Sequence, residues 1–268
     1  MTAAPQGPVI VTRGDAPVVL GMPHVGTWLP EAIRANLNAR GRGLDDTDWH
    51  IDRLYDGLLP GVTIVQATFH RYGLDANRDP SGASLYPGQN TTGLVPLTDF
   101  DGNPIWDKAP DAAEIAARRA AFHAPYHAAL TAELARVRAI HGVAVLYDCH
   151  SIRSHIPFLF DGTLPDFNIG TADGVTCDPR IAAAVHRICT ASGRATVLNG
   201  RFKGGWTTRH YGRPKDGIHA IQMELAQSTH LATEAQPFAY DPDKAATLRP
   251  ILAHILQTLA DLAPELRG

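Results

Sequence analysis

The residues of this chain best suited to chemistry stand directly behind short apolar runs. Residues 17–22 close into Pro23-His24-Val25-Gly26, and residues 62–69 lead to His70-Arg71 and then Leu74-Asp75-Ala76-Asn77-Arg78. Residues 143–147 exit into Asp148-Cys149-His150-Ser151, and residues 218–225 carry Gln222-Met223-Glu224. Each run has the length and apolar content of a buried strand. In open α/β sheets ligands bind beyond the carboxyl ends of the strands, so four strand ends bring imidazole, guanidinium and carboxylate groups to one crevice. Imidazole nitrogens and a carboxylate can hold a divalent ion, and a remaining carboxylate can move a proton.

Asp148 and His150 are two apart, so both leave an extended chain on the same side. Asp148 then either holds the ring N–H of His150 or touches substrate. His24 is the second nitrogen candidate. Asp48 and Asp52, at helical spacing in Thr47-Asp48-Trp49-His50-Ile51-Asp52, are the carboxylate candidates. Glu224 ends an apolar strand, where a buried carboxylate costs free energy unless it is paired or functional. It suits a general base acting on a metal-activated water. Other pairings are weaker. His123 and His127 are four apart but flank Pro125, which suits helix packing better than metal binding; His155 reads as a rim residue. Cys149 and His150 are adjacent on a strand and diverge, so they are a poor nucleophile–base pair. The G-x-S-x-G, P-loop, G-x-G-x-x-G and H-E-x-x-H motifs are absent, which removes the main support for serine-hydrolase, nucleotide and dehydrogenase readings.

The elements that must position these groups alternate between strand and helix, which predicts an α/β fold with a largely parallel, helix-covered sheet. Further strands are expected at 157–160, 168–170 and 195–198. Helices are expected over 31–40, 47–59, 111–141 with a kink or break at Pro125, 178–192 and 241–262. Residues 79–110 are rich in Pro, Gly, Asn, Asp and Thr and read as a long loop, a wall or lid of the site. One catalytic domain over 1–268 is expected. The chain has 268 residues, 44% of them hydrophobic and 19% charged, which argues against disorder. A net charge of −3 disfavours nucleic acid or an anionic membrane as partner. Three cysteines make no even disulfide framework, and with no signal segment or apolar run of membrane length the expected setting is a reducing cytoplasm.

Taken together and in order, the motifs resemble the N-formylglutamate amidohydrolase family. Pro23-His24-Val25-Gly26 with Leu29-Pro30, the segment Thr47 to Tyr55, Arg71-Tyr72 through Arg78, and Asp148-Cys149-His150-Ser151 carry the likeness. Gly204-Gly205-Trp206-Thr207-Thr208-Arg209 and Gln222-Met223-Glu224-Leu225 complete it. Val25 and Ala76 depart from the residues common there without removing a candidate ligand or charge. The resemblance implies a mixed sheet flanked by helices, similar to zinc carboxypeptidases and N-acyl amino-acid deacylases. Those relatives pair the first His with a Glu three residues later; here that position is Thr27, so the carboxylate ligand is sought elsewhere. The implied site has His24, Asp52 and His150 on Zn²⁺, with Asp48 in reserve for Asp52. Glu224 is the implied general base and Arg71 the oxyanion donor. Asn77 and Arg78 would take one substrate carboxylate and Arg209 the second, with Lys203 and Arg213 behind it. The implied reaction converts N-formyl-L-glutamate to formate and L-glutamate, a small anionic substrate, in a monomer or small homo-oligomer. The alternatives are an amidohydrolase for another N-acyl amino acid and a non-catalytic protein that binds a metal or an amino acid.

Overall fold

Among the residues that the computed structural model describes, 4–84 and 88–266, seven strands form one sheet. They are β1 (Val9–Thr12), β2 (Val18–Met22), β3 (Thr63–Ala67), β4 (Ala144–Ile152), β5 (Phe167–Gly170), β6 (Thr196–Leu198) and β7 (Ile218–Ala226). Their order across the sheet is β1-β3-β2-β4-β7-β5-β6. The central strands β3, β2, β4 and β7 run parallel. β1 is antiparallel to β3 and β5 is antiparallel to β7, while β6 is parallel to β5. The sheet is therefore mixed and largely parallel. β2, β4 and β7 are buried at every position, as expected of strands covered on both faces.

Alternation along the strands divides the core. Leu20, Tyr147, Cys149, Ile221 and Met223 pack toward α3 (Ile51–Tyr55), α6 (Pro179–Ala191) and α8 (Pro242–Leu262). Val19, Leu146 and Ala220 pack on the opposite face against Tyr126, Leu130, Leu134 and Val137 of α5 (Ala124–His141). The inward stripe of α8 is Ala245, Leu248, Leu252, Ile255, Leu256 and Leu259, the spacing of an amphipathic helix. The three cysteines are free and buried. No helix among the described residues is long and apolar enough to cross a membrane.

Several local expectations are corrected. β1 was not anticipated. Residues 157–160 form turns and no strand. The single helix expected over 31–40 is two short pieces, α1 (Glu31–Arg34) and α2 (Ala39–Gly43). The chain does not break at Pro125: α4 (Ala112–Arg118) passes through a π turn (Arg119–His123) directly into α5, and that turn, immediately before Pro125, is where the hydrogen-bond ladder accommodates its missing N–H. Asp111 and Glu114 form the expected capping box on α4. Residues 79–110 contain no helix or strand among the described residues; 85–87 of that segment lie outside them. The segment is nevertheless braced. Asp46 Oδ2 accepts from the Phe100 backbone N–H at 2.9 Å, and the Trp106 indole donates to Pro96 O at 2.7 Å.

Candidate active site

His24 follows β2, while Asp148 and His150 lie within β4 and Gln222 and Glu224 within β7. Asp148 and Gln222 are register partners, as are His150 and Glu224. All four side chains therefore leave the same face of the sheet, near its carboxyl edge. Gly26 has no room for a Cβ because the backbone of Thr68 and Phe69 lies against it, which seats the turn behind His24 on the end of β3.

The segment before α3 brings in the carboxylate. The Asp48 N–H donates to His24 O at 3.1 Å, and His50 takes a left-handed conformation, φ 60°. That turn keeps Asp48 off the helix that begins at Ile51. Asp48 is buried beside the histidines, while Asp52 points outward on α3, exposed, into a shallow groove with Arg53, Asp56 and Gln66. The expectation of Asp52 as metal ligand is thereby corrected. It assumed one helical face for both aspartates, and the kink at His50 separates them.

His24 Nδ1 lies 3.2 Å from His150 Nδ1, and Asp48 Oδ2 lies 3.1 Å from the latter and 3.6 Å from the former. The opposite ring nitrogens are held by other carboxylates. His24 Nε2 meets Asp75 Oδ1 at 2.6 Å, and His150 Nε2 meets Asp148 Oδ1 at 3.2 Å. Asp75 Oδ1 also accepts from the Asn77 N–H, and Asp148 Oδ2 from the Thr208 hydroxyl, each at 2.8 Å. The His24 Nε2–H is engaged by Asp75, while His150 Nε2 has Asn77 Nδ2 at 3.2 Å as well as Asp148; the two Nδ1 atoms and Asp48 Oδ2 face one another at 3.1–3.6 Å. A tetrahedral ion with bonds of about 2.0–2.1 Å places its ligand atoms ~3.3 Å apart, and the observed separations bracket that value. His24, Asp48 and His150 thus fit a divalent cation. Burial opposes a charge on His150, but Asp148 and Asp48 outweigh it and push its pKa well up; the field that would hold a proton on Nδ1 also favours a metal there. Asp48 is itself raised to about 6 by burial, against the pull of His150. The Arg71 guanidinium contacts His24 Nδ1 and lies 3.6 Å from Asp48 Oδ1.

Above this cluster opens a cleft of about 230 Å³ lined by Arg71, Asn77, Arg78, Arg201, Gln222 and Glu224, with residues 90–94 of the long loop as one wall. Burial lifts Glu224 to about 8, partly offset by His150 and Arg71. Gln222 Nε2 donates to Glu224 Oε2 at 3.2 Å, and Gln222 Oε1 accepts from the Gly205 N–H at 2.6 Å. A side chain on Gly205 would run into Asn77, whose Oδ1 accepts from the Thr207 N–H at 2.8 Å. Arg78 donates to Thr92 through Nε (2.8 Å to O) and Nη2 (2.9 Å to Oγ1).

The structure thus gathers His24, His150, Glu224, Arg71, Asn77 and Arg78. It does not bring Arg209 to the cleft: that residue lies on α7 (Trp206–Tyr211) and its Nε donates to Gly204 O at 2.9 Å. Arg201 lines the cleft in its place, a residue that sequence reasoning passed over. No sequence pattern marks a role for Asp75, nor for the partners Thr208 and Gln222. Among the described residues His123 and His127 join no group of three or more that could hold a metal ion. They donate through Nε2 to Arg78 O at 3.0 Å and Ala76 O at 2.8 Å.

Residues 16–231 match the family described as N-formylglutamate amidohydrolase. The chain belongs to that family. It is 48% identical to the N-formylglutamate deformylase of Pseudomonas aeruginosa over 251 residues, 92% of this chain and 94% of the relative. The deformylase of Pseudomonas putida is 47% identical over the same share of this chain and 93% of its own. The crystal structure of N-formylglutamate amidohydrolase from Ralstonia eutropha JMP134 is similar with a TM-score of 0.81 at 27% identity, covering 97% of this chain and 99% of that one. Each motif quoted for the family lies within the matched residues.

Proposed function

We propose that this chain is a metal-dependent amidohydrolase that converts N-formyl-L-glutamate and water to formate and L-glutamate. The observation that carries the reading is the convergence of His24 Nδ1, His150 Nδ1 and Asp48 Oδ2 at the floor of a cleft that also holds Glu224 and three arginines. The names of the Pseudomonas relatives supply the substrate. A zinc ion held by His24, Asp48 and His150 would polarise the formyl carbonyl and acidify a water. Glu224, made a strong proton acceptor by burial, takes the proton from the attacking water and returns it to the departing amine. A cation held at the triad would favour the ionised carboxylate that accepts the proton. Arg71 donates to the oxygen that becomes negative as the formyl carbon turns tetrahedral. Asn77 and Arg78 hold the α-carboxylate; a guanidinium suits a carboxylate's two oxygens.

The test combines metal analysis of the purified protein with a formate-release assay before and after chelation. About one equivalent of metal, loss of activity on chelation and its return with zinc are expected. Full turnover in metal-free protein would overturn the reading.

A further inference from the structure

We propose that Arg201 is the specificity-determining residue that binds the side-chain carboxylate of the substrate, while Arg78 binds the α-carboxylate. The proposal rests on the N-formylglutamate reading and deepens it. That substrate carries two carboxylates, so a buried site that prefers it over a neutral analogue needs two cations. Among the described residues the cations lining the cleft are Arg71, Arg78 and Arg201. Arg71 is drawn to the metal ligands, contacting His24 and facing Asp48. Arg78, which lies 3.6 Å from Asp75 Oδ2 and donates through Nη1 to Asn77 O at 3.0 Å, and Arg201 are assigned to the substrate's carboxylates.

Both are anchored on one short stretch of the long loop. Arg78 donates to the carbonyl and hydroxyl of Thr92. Arg201 donates through Nη2 to Asn90 O at 3.1 Å and through Nε to Leu159 O at 3.0 Å, and its guanidinium lies 5.3 Å from the centre of the Phe202 ring. Residues two apart have Cα atoms at most ~7 Å from each other, so both guanidiniums are tied to one short stretch of the loop. That suits carboxylates joined by a few carbons. Each guanidinium has five N–H groups, and a fork fixed in advance loses less freedom on binding a carboxylate.

The same anchors would make Arg201 a plain staple between residues 90 and 159, and the two roles separate by substrate. A staple affects every substrate alike, whereas a carboxylate-binding residue affects the preference for charge. The measurement is the ratio of kcat/KM for N-formyl-L-glutamate to that for N-formyl-L-glutamine, in the wild type, Arg201→Gln and Arg201→Lys. The wild type is expected to favour the glutamate compound by tenfold or more. Arg201→Gln is expected to lower that ratio at least tenfold, chiefly through KM, and Arg201→Lys to recover part of it. An unchanged ratio in Arg201→Gln, with both substrates losing equally, overturns the proposal. A wild type that cleaves both substrates equally also overturns it and leaves the amidohydrolase reading standing. A wild type that releases no formate from either defeats that reading instead. The proposal is then judged by calorimetry: a preference for binding L-glutamate over L-glutamine that Arg201→Gln abolishes upholds it, and a preference kept or absent overturns it.

Discussion

Asp48 and Asp52 show how much one backbone dihedral decides. They are four apart, and on a continuous helix would share a face. The left-handed His50 ends that equivalence, turning Asp48 to the histidines and leaving Asp52 exposed. Asp48→Asn is therefore expected to lose bound metal and formate release together, while Asp52→Asn keeps its metal; metal analysis of the two purified variants decides it, and the reverse pattern would restore Asp52. Glu224 sits beside the ligands as the register partner of His150. Glu224→Gln preserves the shape but not the proton acceptor, so kcat is expected to fall about 10²–10⁴-fold with KM changed far less. Substantial turnover in that variant would remove Glu224 from the proton transfer.

At the scale of elements, α5 is more than a cover for the sheet. The π turn that joins it to α4 ends at His123, and π turns often mark functional positions. His123 and His127 present their Nε2–H groups to the carbonyls of Arg78 and Ala76, so the helix fixes the segment carrying Asn77 from both sides. His127 Nδ1 lies 3.0 Å from the Tyr211 hydroxyl, whose single proton goes to the His127 carbonyl at 3.1 Å or to this nitrogen. Burial, helped by His123, depresses the pKa of His127 to about 3. Because the unfolded ring titrates near ~6.5, the unfolded chain binds the extra proton between those values. The His127 contribution to stability is therefore complete above ~6.5 and declines as pH falls toward 3, by at most ~1.4 kcal/mol per pH unit. Denaturant titrations should show wild type exceeding His127→Gln by most above pH 7, with the gap narrowing at pH 5. A gap that widens on acidification would contradict the neutral ring.

For the whole molecule, the three metal-ligand candidates come from the ends of β2 and the turn before α3 and from β4, separated by up to 126 residues in sequence. Unfolding disperses them, so a metal that binds only the folded chain must stabilise it. At free zinc 100-fold above Kd the gain is about 2.7 kcal/mol, a rise in Tm of roughly 5–10 °C for a chain of this size. Calorimetric scans with and without zinc should show that rise in the wild type and not in Asp48→Asn. An equal rise in both would place the metal elsewhere.

The sequence by itself determined the chemical inventory and its arrangement along strand ends. His24, Asp148, His150 and Glu224 follow or end apolar runs of strand length; strand periodicity placed Asp148 and His150 on one side, and the α/β pattern brought all four to one edge. Those are local properties, set by side-chain alternation and by what a buried strand tolerates. That some strands run antiparallel was implied by family resemblance and not by periodicity, because pairing direction is a property of two strands. Tertiary structure alone decided which of two aspartates joins the histidines, and which arginine, 201 or 209, faces the cleft. Both choices lie in short turns and loops, where no hydrophobic period reports direction. A single left-handed residue or a carbonyl from a distant loop sets where the side chain points.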